Sequence, residues 1–307
     1  KLLPSFVYLL IAWSIYNLLF NAGLNKKDSF AGCLIFLFIP AVSFSSFIIS
    51  TDLFLLLFWT LSLNELIKIN SEQGLKNFIL LGIFLGLGFL SKYAAIYFVI
   101  CLFVLILFDK RFRKIFLDNL FGFCLTFLCV FVIIVPNIIW NFNNDWITLQ
   151  HTSDNANFGN IEIDLIRGLE FLLIQVLMLG PFMVLGGIFG FNKWNYIQKI
   201  FLIFSMPIIL IVLVEAIIVR ANANWAAPAL ISLFALLYIR ISNSFLKIAN
   251  YIFNFVVCLI LFVMIGVSYP SKIFDRISGI NDYALKIYSG SSGGVVKNIV
   301  VSDRLLF

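Results

Sequence analysis

The chain has 307 residues, of which 62% are hydrophobic and 12% charged, with a formal net charge of +6. A soluble globular domain is nearer half apolar and a quarter charged, so too little polar surface would remain to coat a soluble fold. A soluble enzyme, a nucleic-acid-binding domain and a disordered chain are all excluded, and a polytopic all-α membrane protein is expected.

A spanning helix needs about 20 mostly apolar residues. On that length, ten membrane segments are expected, at 2–20, 30–49, 53–69, 78–90, 94–108, 117–139, 165–190, 200–219, 226–239 and 250–268. Those at 78–90, 94–108 and 226–239 are short, and the first two suit a hairpin that enters the bilayer without cleanly spanning it. Residues 1–269 are thus expected to form one transmembrane domain. Residues 270–307 read as the start of a small extracytoplasmic α/β domain, with Ser289–Gly294 as linker and 298–304 as a strand. The first methionine is Met178, which is expected of a piece of a longer protein, truncated at both ends.

Loop charge sets the orientation, because cytoplasmic loops retain Lys and Arg. Twelve basic residues fall in alternate loops: Lys26, Lys27, Lys68, Lys76, Lys110, Arg111, Arg113, Lys114, Lys193, Lys199, Arg240 and Lys247. The opposite side carries four, namely Lys1, Lys92, Arg167 and Arg220. Both ends of the chain are therefore expected outside the cytoplasm. The five cysteines all lie in apolar runs without metal-ligand spacing and read as small buried hydrophobes.

Polar side chains collect on the outer side, at helix ends. Asp52 opens the apolar run Leu53–Leu63, either as a helix cap satisfying free N–H groups or as a carboxylate base at a cavity rim. Lys92, between two apolar segments, is either an interfacial anchor or a point-charge ligand for phosphate. Glu170 has Arg167 one turn before it, which predicts an internal pair, and Glu215 stays unexplained. Pro136 should end or kink its helix and open a long loop from Asn137 to Asp164. That loop carries Asn137, Trp140, Asn141, Asp145, Trp146 and His151, the mixture of flat apolar faces and planar amides that sugar sites use. Asn224 and Trp225 repeat this chemistry ahead of Pro228, and Arg220 adjoins them as a second candidate for a phosphate.

The runs Ser50-Thr51-Asp52-Leu53-Phe54 and Gly86-Leu87-Gly88-Phe89-Leu90-Ser91-Lys92-Tyr93 resemble bacterial GT-C membrane glycosyltransferases. The likeness is to the dolichyl-phosphate-mannose protein mannosyltransferase and lipid A aminoarabinose transferase type. Leu3-Pro4-Ser5, Pro136-Asn137-Ile138-Ile139-Trp140-Asn141 with Asp145-Trp146, and Asn224-Trp225 before Pro228 carry it further, over nearly all of 1–270. The resemblance implies hexosyl or pentosyl transfer from a polyprenyl-phosphate sugar to a lipid or cell-envelope glycan. The reaction would run at the outer face of the bacterial cytoplasmic membrane, with inversion. It carries over Asp52 as the acidic residue and Lys92, with Tyr93 and Arg220, as donor-phosphate ligands. Asn137, Trp140, Asn141, Asp145, Trp146, His151, Asn224 and Trp225 fall to the sugar and acceptor. The family places an Asp-Glu pair ahead of the Leu-Pro-Ser helix, so this chain by itself is expected to be inactive. Such sites can take a divalent metal, but no cofactor is certain and the sequence shows no ligand cluster for one. The alternative reading is a lipid-linked saccharide flippase or other membrane transporter, which would need inverted repeats, of which none is clear, and midplane charges, for which Glu215 is the lone candidate.

Overall fold

In the computed structural model, residues 2–46, 48–156, 163–189, 194–219, 221–241 and 244–267 are described. Among them every regular element is helical. The helices are α1 (Leu2–Asn21), α2 (Lys26–Leu37), α3 (Pro40–Ser45), α4 (Thr51–Glu72), α5 (Leu75–Ser91), α6 (Ile96–Phe108), α7 (Lys110–Asp118) and α8 (Leu120–Asn143). They continue as α9 (Ile147–Ala156), α10 (Leu165–Leu179), α11 (Pro181–Ile188), α12 (Tyr196–Ile203), α13 (Met206–Ile218), α14 (Ala227–Arg240) and α15 (Ser244–Val267). Short 3₁₀ turns at Tyr93–Ala95 and Ala223–Ala226 precede α6 and α14.

The long helices such as α1 and α8 are apolar on every side, and burial divides them into two faces. In α1, Tyr8, Ile11, Ala12, Ile15, Leu18 and Leu19 are buried at three- and four-residue spacing, while Phe6, Leu9 and Trp13 stay exposed. α8 exposes Phe121, Leu128, Phe131 and Val132 and buries chiefly Gly122, Phe123, Thr126 and Asn141. A helix hydrophobic all round, with only one stripe packed on protein, is what a lipid solvent selects. Among the described residues, five helical stretches are long and apolar enough to cross a membrane, and seven if each of two bent pairs counts as one span.

Packing inside the bundle uses small residues and shared polar groups, as hydrocarbon offers no hydrophobic drive between helices. α4 packs on α1 and α5, and α5 packs on α8. At Gly82 of α5 a side-chain Cβ would lie 2.5 Å from the Thr126 carbonyl oxygen. The Thr126 hydroxyl donates to the Phe78 carbonyl at 2.8 Å, tying the same two helices. Between α1 and α4, Asn64 donates to the Ser14 carbonyl at 2.9 Å and accepts from Asn21 at 3.2 Å.

Several expectations need correction. The segment 30–49 is two helices, broken at Phe38–Ile39 ahead of Pro40. The segment 165–190 bends by 96° at Gly180, whose φ of +96° closes to most residues. α8 does not stop at Pro136 but runs on to Asn143, so the expected loop from Asn137 begins as helix, turns at 144–146 and continues as α9. Proline removes only one backbone donor, and here the Asn141 amide donates to the Asn137 carbonyl one turn further on, at 3.0 Å. The tail 270–307 lies outside the described residues.

The two ends of the bundle differ in charge. At one end the Asn119 amide meets Gln73 at 3.0 Å, Tyr196 donates to Asp109 at 3.2 Å, and Tyr238 donates to the Asp28 carbonyl at 2.8 Å. These contacts gather the loops that carry Lys26, Lys76 and the basic helix α7. Asp52, Lys92 and Asn224 meet away from these loops, at the opposite ends of α4 and α5.

Candidate functional site

Asp52 sits at the second position of α4, behind the N-cap Ser50. Its carboxylate does not cap the helix. One oxygen accepts from the Lys92 ammonium at 2.7 Å, and the other accepts from the Asn224 amide at 2.9 Å. The side chains of Lys92 and Asp52 are 28% and 16% exposed. The helix-cap reading of Asp52 is thereby corrected: three elements far apart in sequence meet on one carboxylate. Each is placed by its local structure. Lys92 is the C-cap of α5, in extended backbone, and Asn224 lies in the 3₁₀ turn ahead of α14. The Gln175 amide of α10 holds that turn by donating to the Ala223 carbonyl at 3.1 Å.

The next residue, Tyr93, belongs to a second cluster. Its hydroxyl donates to Asn137 Oδ1 at 2.9 Å and accepts from the Asn141 amide at 3.2 Å. The Thr148 hydroxyl oxygen lies 2.9 Å from it, and Thr148 donates to Asn141 Oδ1. Asn137 and Asn141 are one turn apart on α8 and point to the same side, and Thr148 comes from α9. Thr148 was not singled out from the sequence. Its only signal there was its place, seven residues after Asn141 across a two-helix corner.

Other expected residues stand apart. Trp140, Asp145 and Trp146 are exposed, with Trp146 edge-on to Phe142 at 6.4 Å between ring centres. Asp145 and Trp146 have φ of 53° and 56°, so the corner between α8 and α9 holds two side-chain-bearing residues in the left-handed region. Trp225 packs half-buried against the core. Arg220 and the side chain of His151 lie outside the described residues. The expected Arg167–Glu170 pair is replaced by another: Arg167 bonds Asp164 at 3.0 Å and donates to the Val219 carbonyl. Asp164 is the N-cap of α10, accepting from the Ile166 and Arg167 N–H groups. The Ile166 N–H bond, helped by Arg167, holds its carboxyl below the usual aspartate range. Among the described residues no three His, Cys, Asp or Glu side chains converge as metal ligands.

Apolar helices long enough to span a bilayer, with a clamped ion pair and an amide–tyrosine network among them, define the class as a polytopic membrane protein. Comparison with known proteins makes that class more specific. The dolichyl-phosphate-mannose-protein mannosyltransferase family matches residues 2–140, a stretch that includes Asp52, Lys92, Tyr93 and Asn137. The lipid A galacturonosyltransferase RgtD of Rhizobium johnstonii is 29% identical over 199 residues, covering 63% of this chain and 41% of that protein. The chain thus spans about two fifths of that relative's length. No solved structure matches the chain. The two matches make the chain similar to membrane glycosyltransferases over its first half and beyond.

Proposed function

We propose that the Asp52 end of the bundle transfers a sugar from a polyprenyl phosphate to a hydroxyl of a lipid or envelope glycan, on the extracytoplasmic side of the membrane. The observation that carries this reading is the Lys92–Asp52–Asn224 clamp. It sets one cation and one carboxylate side by side at a bundle end, where a lipid-borne substrate arrives from the bilayer. The acceptor oxygen attacks the anomeric carbon, the bond from that carbon to the phosphate oxygen breaks, and polyprenyl phosphate leaves with the electron pair. Lys92 neutralises the leaving phosphate, as a fixed ammonium does for developing charge. Asp52 takes the acceptor's proton, and Asn224 keeps the carboxylate oriented while Lys92 is engaged with phosphate. Tyr93, Asn137, Asn141 and Thr148 present hydroxyl and amide groups to the sugar. Lipid A as acceptor and an acidic hexose as donor sugar are the substrates named for the relative, and they are the first to assay.

The experiment measures transfer of radiolabelled sugar from a polyprenyl-phosphate donor in membranes containing the full-length parent of this chain or its Lys92→Met variant at equal abundance. Loss of a charge-assisted contact is worth about 1.5–3 kcal/mol, so roughly a ten- to hundredfold drop is expected. An undiminished rate would reduce Lys92 to an anchor and remove the reading.

A further inference from the structure

At the opposite end, α6 and α7 meet at 105°, so α7 runs crosswise to the helix that precedes it. Its sequence, Lys110-Arg111-Phe112-Arg113-Lys114-Ile115-Phe116-Leu117-Asp118, has two faces. Phe112 and Ile115 are buried, and Phe112 meets Phe123 of α8 edge-on at 6.2 Å. Two of the four cations are engaged within the protein. The Arg111 guanidinium lies 4.2 Å over the Tyr196 ring, and Arg113 donates to the Ile106 carbonyl at 3.0 Å and to the Leu107 carbonyl, closing the end of α6.

Lys110 and Lys114 are one turn apart on the side away from Phe112, both exposed. Like charges at that spacing destabilise an isolated helix by a few tenths of a kcal/mol. Among the described residues no acid forms an ion pair with either lysine. Asp109 accepts from the Phe112 N–H at 2.7 Å and from Tyr196, while Asp118 forms no ion pair among the described residues. Glu72, across the Asn119–Gln73 contact, is balanced by the exposed Lys76. Beside the two lysines, Leu117 is 57% exposed, and Phe108 and Phe121 at the two ends of the helix are 78% and 72% exposed.

We infer that α7 is an interfacial helix that binds anionic phospholipid headgroups, with Lys110 and Lys114 on the phosphates and Leu117 among the acyl chains. Cations alone would suit any phosphate. Cations rimmed by large exposed apolar side chains suit a lipid, because the same patch then satisfies both halves of the molecule. A crosswise helix also lies where headgroups lie, at the end of the spans rather than along them.

The test places a benzophenone side chain at Leu117 and crosslinks the purified chain in bilayers of equimolar phosphatidylglycerol and phosphatidylcholine. Each basic residue near an anionic surface is worth about fivefold, so phosphatidylglycerol adducts should exceed phosphatidylcholine adducts several-fold. The excess should fall to near parity in the Lys110→Gln/Lys114→Gln variant and in high salt, which screens exposed charge. It should persist in Lys110→Arg/Lys114→Arg. Equal adducts in the unmodified lysine background, an excess that survives the double glutamine change, or adducts formed with protein instead of lipid would each overturn the inference. None of these outcomes bears on sugar transfer, so the two readings stand or fall separately.

Discussion

Replacing Asp52 by Asn should tighten the binding of polyprenyl phosphate even as it abolishes transfer. In the structure the Lys92 ammonium is already spent on Asp52, at 2.7 Å, with both side chains mostly shielded. A phosphate must therefore share or displace the carboxylate before it gains that cation. An exposed ion pair is worth about 0–1 kcal/mol and a charge-assisted bond between shielded groups about 1.5–3 kcal/mol. This pair lies between those limits. Releasing Lys92 from about 1.4 kcal/mol of competition corresponds to about tenfold in affinity. Asn is the right replacement, because its amide oxygen can still accept from Asn224 while the negative charge is gone. The assay is binding of undecaprenyl phosphate to purified protein in detergent micelles, followed for wild type, Asp52→Asn and Lys92→Met. Tighter binding is expected in the second and weaker binding in the third. Weaker or unchanged binding in Asp52→Asn, beside the expected loss in Lys92→Met, would refute the competition and leave Lys92 a phosphate ligand that Asp52 does not restrain.

Further outcomes follow from other parts of the molecule. Cysteines placed at Asn144 and Asn222 should react with an impermeant thiol reagent applied to intact cells, while one at Glu72 should react only after lysis; the reverse pattern would invert the orientation. All three positions are exposed, so burial does not confuse the comparison. Tyr93→Phe removes a hydroxyl bonded to Asn137 and Asn141, and should raise the Michaelis constant for one substrate by several-fold, at about 0.5–1.5 kcal/mol per bond lost; unaltered kinetics would make the network purely structural. Gly82→Val should lower the melting temperature measured in detergent, since the new side chain meets the Thr126 backbone and overpacking costs about 1–3 kcal/mol. Asp164 has its carboxyl held below the ordinary range in the folded chain. Its contribution to the start of α10 is therefore complete above the unfolded value and lost as pH falls through the folded one. Protection from hydrogen exchange at Ile166 and Arg167, corrected for the intrinsic rate at each pH, should fall in acid in wild type and already be low at neutral pH in Asp164→Ala.

The apolar runs announced the helices well, because twenty residues of hydrocarbon-compatible side chain have few other fates in a bilayer. The position of Lys92 between two short helices and the gathering of polar groups at one end were also legible. What lay hidden depended on partners distant in the chain. Asp52 was legible both as a helix cap and as a carboxylate base, but not its partners, which are 40 and 172 positions away. Pro136 looked like a terminus because a missing donor says nothing about whether flanking residues can hold the helix together. Arg167 has acidic residues at equal distance on either side, and the sequence did not say that Asp164 would need it to close the start of α10. The right angle before α7 was masked by reading its four cations only as loop charge, when the buried Phe112 and Ile115 make them one side of a helix.

Lys92 and Tyr93 are neighbours in the chain, yet the first serves the carboxylate clamp and the second the amide–hydroxyl network. Lys92 has φ of −162° and ψ of 136°, an extended conformation that sends adjacent side chains to opposite sides. One peptide unit is thus the partition wall between two compartments. No hinge separates them, so any tilt of the α5–α6 corner carries both compartments as a single lever. A displacement of that peptide would therefore shift the ammonium and the phenol together.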